Sequence, residues 1–190
     1  MPILRKNAFT IIELLVVISI IIILAGLILS TVGYVQKKGA RSRAEAEIAA
    51  ISAALENYKA DNGIYPTDAT ATNSVDPSND PPAGPKYQAA TKFLYGELSG
   101  DKDYNGTIDS AESQNKSYFA FKPQMLGGTR DTNNNITAVT YIRDPFGNSY
   151  GYSTAKASGA AFGYNPTYDL WSCGDATPPT SNQAQWIKNW

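Results

Sequence analysis

The stretch Phe9-Thr10-Ile11-Ile12-Glu13-Leu14-Leu15-Val16-Val17-Ile18-Ser19-Ile20-Ile21-Ile22-Ile23-Leu24-Ala25-Gly26-Leu27-Ile28-Leu29 decides the architecture. Its 21 residues hold one charge, Glu13, with interruptions at Thr10, Ser19 and Gly26. As a helix rising ~1.5 Å per residue, the run reaches about 30 Å, the hydrocarbon thickness of a bilayer. A buried core helix is the alternative, but a chain of 190 residues has little room to bury that many apolar side chains on every side. Secretory signals have an apolar region of only ~7–15 residues and then a small-residue cleavage site. Here Thr31-Val32-Gly33-Tyr34 leads straight into a polar helical pattern. A membrane-spanning helix is therefore expected.

Glu13 is the anomaly in that run. A carboxylate at bilayer depth costs about 2.5–3.5 kcal/mol on insertion scales, so it either stays at the wet interface or is kept for a partner. The flanking charges do not set an orientation. Arg5 and Lys6 precede the run, while Lys37, Lys38, Arg41 and Arg43 follow it. Elsewhere the composition excludes more than it assigns. There is no histidine, which removes Ser-His-Asp triads, Cys-His dyads and His-ligated zinc. One cysteine, Cys173, cannot close an intramolecular disulfide and is expected as a small buried residue beside Trp171. A net charge of -1 gives no basis for nucleic-acid binding. An anchored hydrolase has little support, because no nucleophile–base pair is available without lysine or carboxylates. No enzymatic role is expected.

Arg5-Lys6-Asn7-Ala8-Phe9-Thr10-Ile11-Ile12-Glu13-Leu14-Leu15-Val16-Val17 resembles the prepilin peptidase motif of type IV pilins and type II secretion pseudopilins. The resemblance implies a leader over residues 1–8, cleavage between Ala8 and Phe9, and methylation of the new amine. Glu13 then becomes the fifth residue of the mature chain, and Ala8 stands where the family usually has glycine. It further implies that the leader is cytoplasmic, that residues 9–33 form the transmembrane and assembly helix, and that residues 34–190 are a periplasmic pilin-like domain. The implied partners are other copies of the chain in a helical filament, the prepilin peptidase, an inner-membrane assembly platform and minor pseudopilins. In such a stack Glu13 of one subunit would neutralise the Phe9 amine of its neighbour.

Beyond Gly33, Ala44, Ile48, Ile51, Leu55 and Tyr58 recur at spacings of 4, 3, 4 and 3, an apolar stripe on one helix face. Asn62-Gly63 supplies the stop, so one helix of ~50 residues is expected, with a bend placed at Gly33 or Gly39. Residues 67–85, with Pro77, Pro81, Pro82 and Pro85, read as a loop. Ala89 to Leu98 reads as a short helix with Phe93, Leu94 and Leu98 inward. Strands are expected over Ser117–Lys122, Thr137–Arg143, Asn148–Thr154 and Thr167–Ser172, with a turn at Asp144-Pro145-Phe146-Gly147-Asn148. The expected fold is α+β, a long N-terminal helix packed on a small antiparallel sheet, as in the pilin-like lollipop.

Between helix and strands lies Asp101-Lys102-Asp103-Tyr104-Asn105-Gly106-Thr107-Ile108-Asp109-Ser110-Ala111-Glu112. It has the spacing of an EF-hand calcium loop: Asp101, Asp103, Asn105, Thr107 (through its carbonyl), Asp109 and Glu112 as oxygen ligands, with Gly106 at the turn. Ile108 is expected to tether the loop to the body. An Asp/Asn-rich surface turn is the alternative. No second EF-hand accompanies it, so structural calcium is expected rather than a sensor.

The turn at Asp144–Asn148 and the run Tyr168-Asp169-Leu170-Trp171-Ser172 through Gly174-Asp175, with Asn189-Trp190, also resemble major pseudopilins. Those bind calcium in an acidic C-terminal loop, and Thr177–Gln185 here has no carboxylate. The function implied is a structural subunit of a type II secretion pseudopilus; the alternative is a major or minor type IV pilin of a surface pilus.

Overall fold

The computed structural model describes residues 10–80, 84–176 and 183–190; the leader and the expected cut at Ala8 and Phe9 lie outside them. Helix α1 (Ile11–Asn62) has 52 residues and is helical through Gly33 and Gly39. The chain divides into two compact units, one ending at Gly39 and one running from Ala40 to Trp190. In the first, the Ile, Leu and Val side chains are exposed on all sides, Ile11 at 85% and Leu29 at 75%. A helix apolar all round has no polar face to give to water, which is the pattern of a membrane span.

The second unit is built on the expected stripe. Ala44, Ile48, Ile51 and Leu55 are buried, Ala54 joins them, and Tyr58 is half-buried. The helix stops where Gly63 takes φ +79° and gives its N–H to the Lys59 carbonyl at 2.8 Å, a left-handed cap that other residues adopt at a cost. Helix α2 (Pro85–Ser99) starts earlier than the apolar residues suggested, with proline at its first turn, where no N–H is needed. Its inward face is Tyr87, Ala90, Leu94, Tyr95 and Leu98; Phe93, expected inside, is only half-buried.

Among the described residues five strands follow: β1 (Leu126–Arg130), β2 (Ile136–Ile142), β3 (Gly151–Ser153), β4 (Asp169–Ser172) and β5 (Ile187–Lys188). They form two antiparallel sheets, β1-β2 and β3-β4-β5, rather than the single one expected. The break falls at the Asp144–Asn148 turn, across which only an isolated Arg143–Ser149 bridge is made. Val139 and Ile142 from β2, Tyr152 from β3, Leu170 from β4 and Ile187 from β5 close one core with the stripe of α1 and with Leu94 and Leu98 of α2. A second cluster holds Val75, Tyr87, Trp171, Cys173 and Trp186, so Cys173 is buried in the same cluster as Trp171.

Residues 117–122 are not a strand. The Tyr118 and Phe119 amides both bond the Leu98 carbonyl, at 2.8 and 3.0 Å, so this segment pairs with the end of α2 and has no ladder to join. The loop after Thr67 also does more than bridge. Thr72 is buried with its hydroxyl 2.6 Å from that of Thr154, and Ser153 bonds the Val75 carbonyl at 2.7 Å.

Candidate functional site

Two places hold the residues singled out in the sequence. At the start of α1, Glu13 turns its carboxylate back on the helix end. Glu13 Oε2 accepts from the Thr10 N–H at 2.9 Å and from the Thr10 hydroxyl at 2.8 Å, while the Glu13 N–H reaches Thr10 Oγ1 at 3.3 Å. This is a capping box, which satisfies donors that a helix start leaves open. It explains why threonine and glutamate sit three apart at the mouth of an apolar helix. Two other hydroxyls in the span bond the helix backbone: Ser19 donates to the Leu15 carbonyl at 2.8 Å and Thr31 to that of Ile28 at 2.9 Å. A segment in lipid must meet its polar groups internally, as these two hydroxyls do.

The second place is the loop after α2. Gly100 takes φ +86° and ends the helix, delivering Asp101 into the body, where it is fully buried. Asp101 Oδ1 accepts from the Tyr104 N–H at 2.6 Å; Oδ2 accepts from the Gly106 N–H at 2.7 Å and from the Tyr95 hydroxyl at 2.6 Å. Burial, and then the carboxylate it donates to, push the Tyr95 phenol above its ordinary range, so it remains a donor. Gly106 takes φ +89°, and a side chain there would strike Ile136. Tyr104 accepts from the Val139 N–H at 2.7 Å, pinning the loop to β2.

Of the six expected ligand residues, the structure brings three side chains together. One carboxylate oxygen each from Asp101, Asp103 and Glu112 lies within 4.8 Å of the others. Asn105 Oδ1 faces its own turn, accepting from the Thr107 N–H and hydroxyl at 2.8 and 2.7 Å. Asp109 stands outside the group and caps the turn at Ala111, 2.8 Å away. Ile108, expected to tether the loop, is 49% exposed; that task falls to Tyr104 and Tyr95 instead. Sequence reasoning did not find Tyr95, whose position six residues before Asp101 gives no spacing signal of its own.

No family model matches the chain, and no solved structure matches it. Curated relatives do. The chain is 35% identical over 82 residues to the type II secretion system core protein G of Aeromonas hydrophila, which is 43% of this chain and 56% of that protein. It is 38% identical over 63 residues to the protein of the same name from Escherichia coli K12, covering 33% and 43%. With that of Vibrio cholerae it shares 35% over 63 residues, again 33% and 43%. Over the matched stretch the chain is similar to proteins named type II secretion system core protein G. The chain spans about half the length of the curated relatives it matches. Helix α1 is long and apolar enough to cross a membrane, which fits a membrane-anchored protein.

Proposed function

We propose that the chain is a structural subunit of a type II secretion pseudopilus, assembled through its N-terminal helix after cleavage between Ala8 and Phe9. The observation that carries this reading is the likeness to several proteins named type II secretion system core protein G, joined to an exposed apolar helix opened by Thr10 and Glu13. The resemblance supplies the orientation: leader in the cytoplasm, body in the periplasm, with the chain anchored once in the inner membrane until it joins the filament. The prepilin peptidase, an assembly platform and minor pseudopilins are its partners in this reading, and its role is structural rather than catalytic.

Glu13 is the residue on which assembly turns. In the single chain its carboxylate is satisfied by Thr10. Cleavage leaves a positive amine on Phe9, as costly unpaired in an apolar setting as the carboxylate. Exchanging the intrachain cap for the amine of a neighbour satisfies both and sets the axial register between subunits. Glu13→Val should therefore insert in the membrane at wild-type level and fail to form filaments, scored by shearing and by cross-linking between subunits when the secretion machinery is co-expressed. Filaments of normal length and yield from that variant would refute the pairing.

A further inference from the structure

The loop Asp101–Glu112 is not needed for an apolar assembly helix, and it holds an unexplained buried group. Glu112 is 7% exposed, and its Oε1 accepts from the Lys102 N–H and from the Asp103 N–H, the latter at 3.1 Å. Its Oε2 is buried with no hydrogen-bond partner. A buried carboxylate oxygen left unpaired is among the costliest arrangements in a fold, and here the Glu112 carboxylate adjoins two more. No basic side chain offsets them within the loop. Lys102 sends its ammonium to Glu97 Oε1 at 2.5 Å instead.

We propose that residues 101–112 bind one calcium ion, with Asp101, Asp103 and Glu112 as the charged ligands and Glu112 Oε2 the atom that waits for it. Asn105, the Thr107 carbonyl and Asp109 occupy the remaining ligand positions of the twelve-residue pattern. The donors are oxygens without histidine or thiolate, which selects a hard cation over zinc or copper. A twelve-residue loop closed by a glutamate suits the larger, more loosely coordinated calcium better than magnesium, which demands near-ideal octahedral geometry.

The ion would act as a staple on the pilin-like body. Directly after Glu112 the chain is tied back to both helices. Asn115 bonds the Gly100 carbonyl at 2.7 Å, Lys116 pairs with Asp61, and Asn62 bonds the Tyr118 hydroxyl at 3.0 Å. On the other side, Glu97 accepts from both Lys102 and the Tyr58 hydroxyl of α1, the latter at 2.7 Å. Holding Glu112 thus holds the segment that fastens the last turn of α1.

The test uses the full chain in detergent micelles and terbium as a calcium probe. Tyr95 donates to Asp101, so exciting tyrosine should sensitise emission from a lanthanide in the loop. The expected result is saturable emission displaced by calcium in the ~0.1–1 mM range of extracellular calcium modules, and only at far higher magnesium. Calcium should also raise the melting temperature by a few degrees over chelator. Glu112→Gln removes a buried charge while keeping the Oε1 contacts. In chelator it should melt no lower than wild type, yet its calcium affinity should fall by at least the order of tenfold that losing even an outer partner of a metal site costs. Asp103→Asn, at an exposed position, should weaken binding similarly and decides the matter should Glu112→Gln misfold. Emission that calcium does not displace, or that survives unchanged in Asp103→Asn, would overturn the proposal.

Discussion

Asp144 offers the sharpest test of how the body is held together. It opens the turn between β2 and β3, yet it is 3% exposed. Its Oδ1 accepts from the Phe146 and Asn148 N–H groups at 3.0 and 2.8 Å, and its Oδ2 accepts from the Ser172 hydroxyl at 2.6 Å. One carboxylate therefore fixes the turn and fastens it to β4. Asp144→Ala strands two amides and a buried hydroxyl, each worth about 1–3 kcal/mol when orphaned. Since the two amides are only partly buried, the total should be about 3–5 kcal/mol, a drop of about 10 °C in Tm for a chain of this size. Asp144→Asn keeps an oxygen for both amides and can donate to Ser172 Oγ, so it should stay within about 1 kcal/mol of wild type.

Both substitutions also remove a pH dependence. Burial pushes the Asp144 carboxyl above its ordinary value, against the hydrogen bonds from Ser172 and from the turn amides. A raised folded-state pKa means its favourable contribution is fully present below the ordinary carboxylate value, near pH 4, and is lost as pH rises through the raised value. Neither asparagine nor alanine titrates here, so both variants should gain on wild type as the pH is raised from about 4 toward neutrality, the asparagine variant from the higher starting stability. Thermal melts of both variants across that range supply the test. Asp144→Asn as damaging as Asp144→Ala at every pH, or an Asp144→Ala melt unchanged from wild type, would refute the argument.

Two further outcomes follow from packing. A Cβ on Gly151 would lie 2.1 Å from the Trp171 ring, so Gly151→Ala should cost about 3 kcal/mol, the upper end of the usual overpacking range, seen as a lowered Tm; an unchanged melt would show that β3 and Trp171 can shift freely. Cys173 is fully buried and its thiol is pushed up to about 12, mainly by burial, so the folded chain should resist alkylation at mildly alkaline pH and react once denatured. Rapid labelling of the folded chain, or disulfide-linked dimers on mild oxidation, would contradict that placement.

The long helix and its two characters were legible because each has one dominant signal: near-continuous apolarity to Leu29, then the stripe from Ala44 to Leu55. Strands β2 and β3 were legible from alternation, β4 as a short aromatic run, and the Asp144–Asn148 turn from its Asp-Pro and Gly-Asn content. Strand β1 was hidden because Leu126-Gly127-Gly128-Thr129-Arg130 looks like a turn. Its Gly127 instead makes room for the Tyr141 ring, which a Cβ would meet at 2.2 Å. The segment 117–122 misled in the opposite sense, since alternation does not say whether the partner is a strand or the end of a helix. In the loop, ligand spacing was readable, whereas the orphaned oxygen of Glu112 and the Tyr95 bond depend on burial that no local pattern encodes. The hydroxyl contacts of Thr72, Ser153 and Thr154 were invisible for the same reason, because they join residues about 80 positions apart.

The central claim is that this chain is made as a prepilin and matures into a filament subunit. The most direct measurement is the N-terminal mass of the chain extracted from membranes after co-expression with a prepilin peptidase. The account predicts a chain that begins at methylated Phe9, with Ala8 accepted before the cut. A chain that still begins at Met1, with the peptidase active on a control substrate, would contradict it and leave a plain single-span anchor.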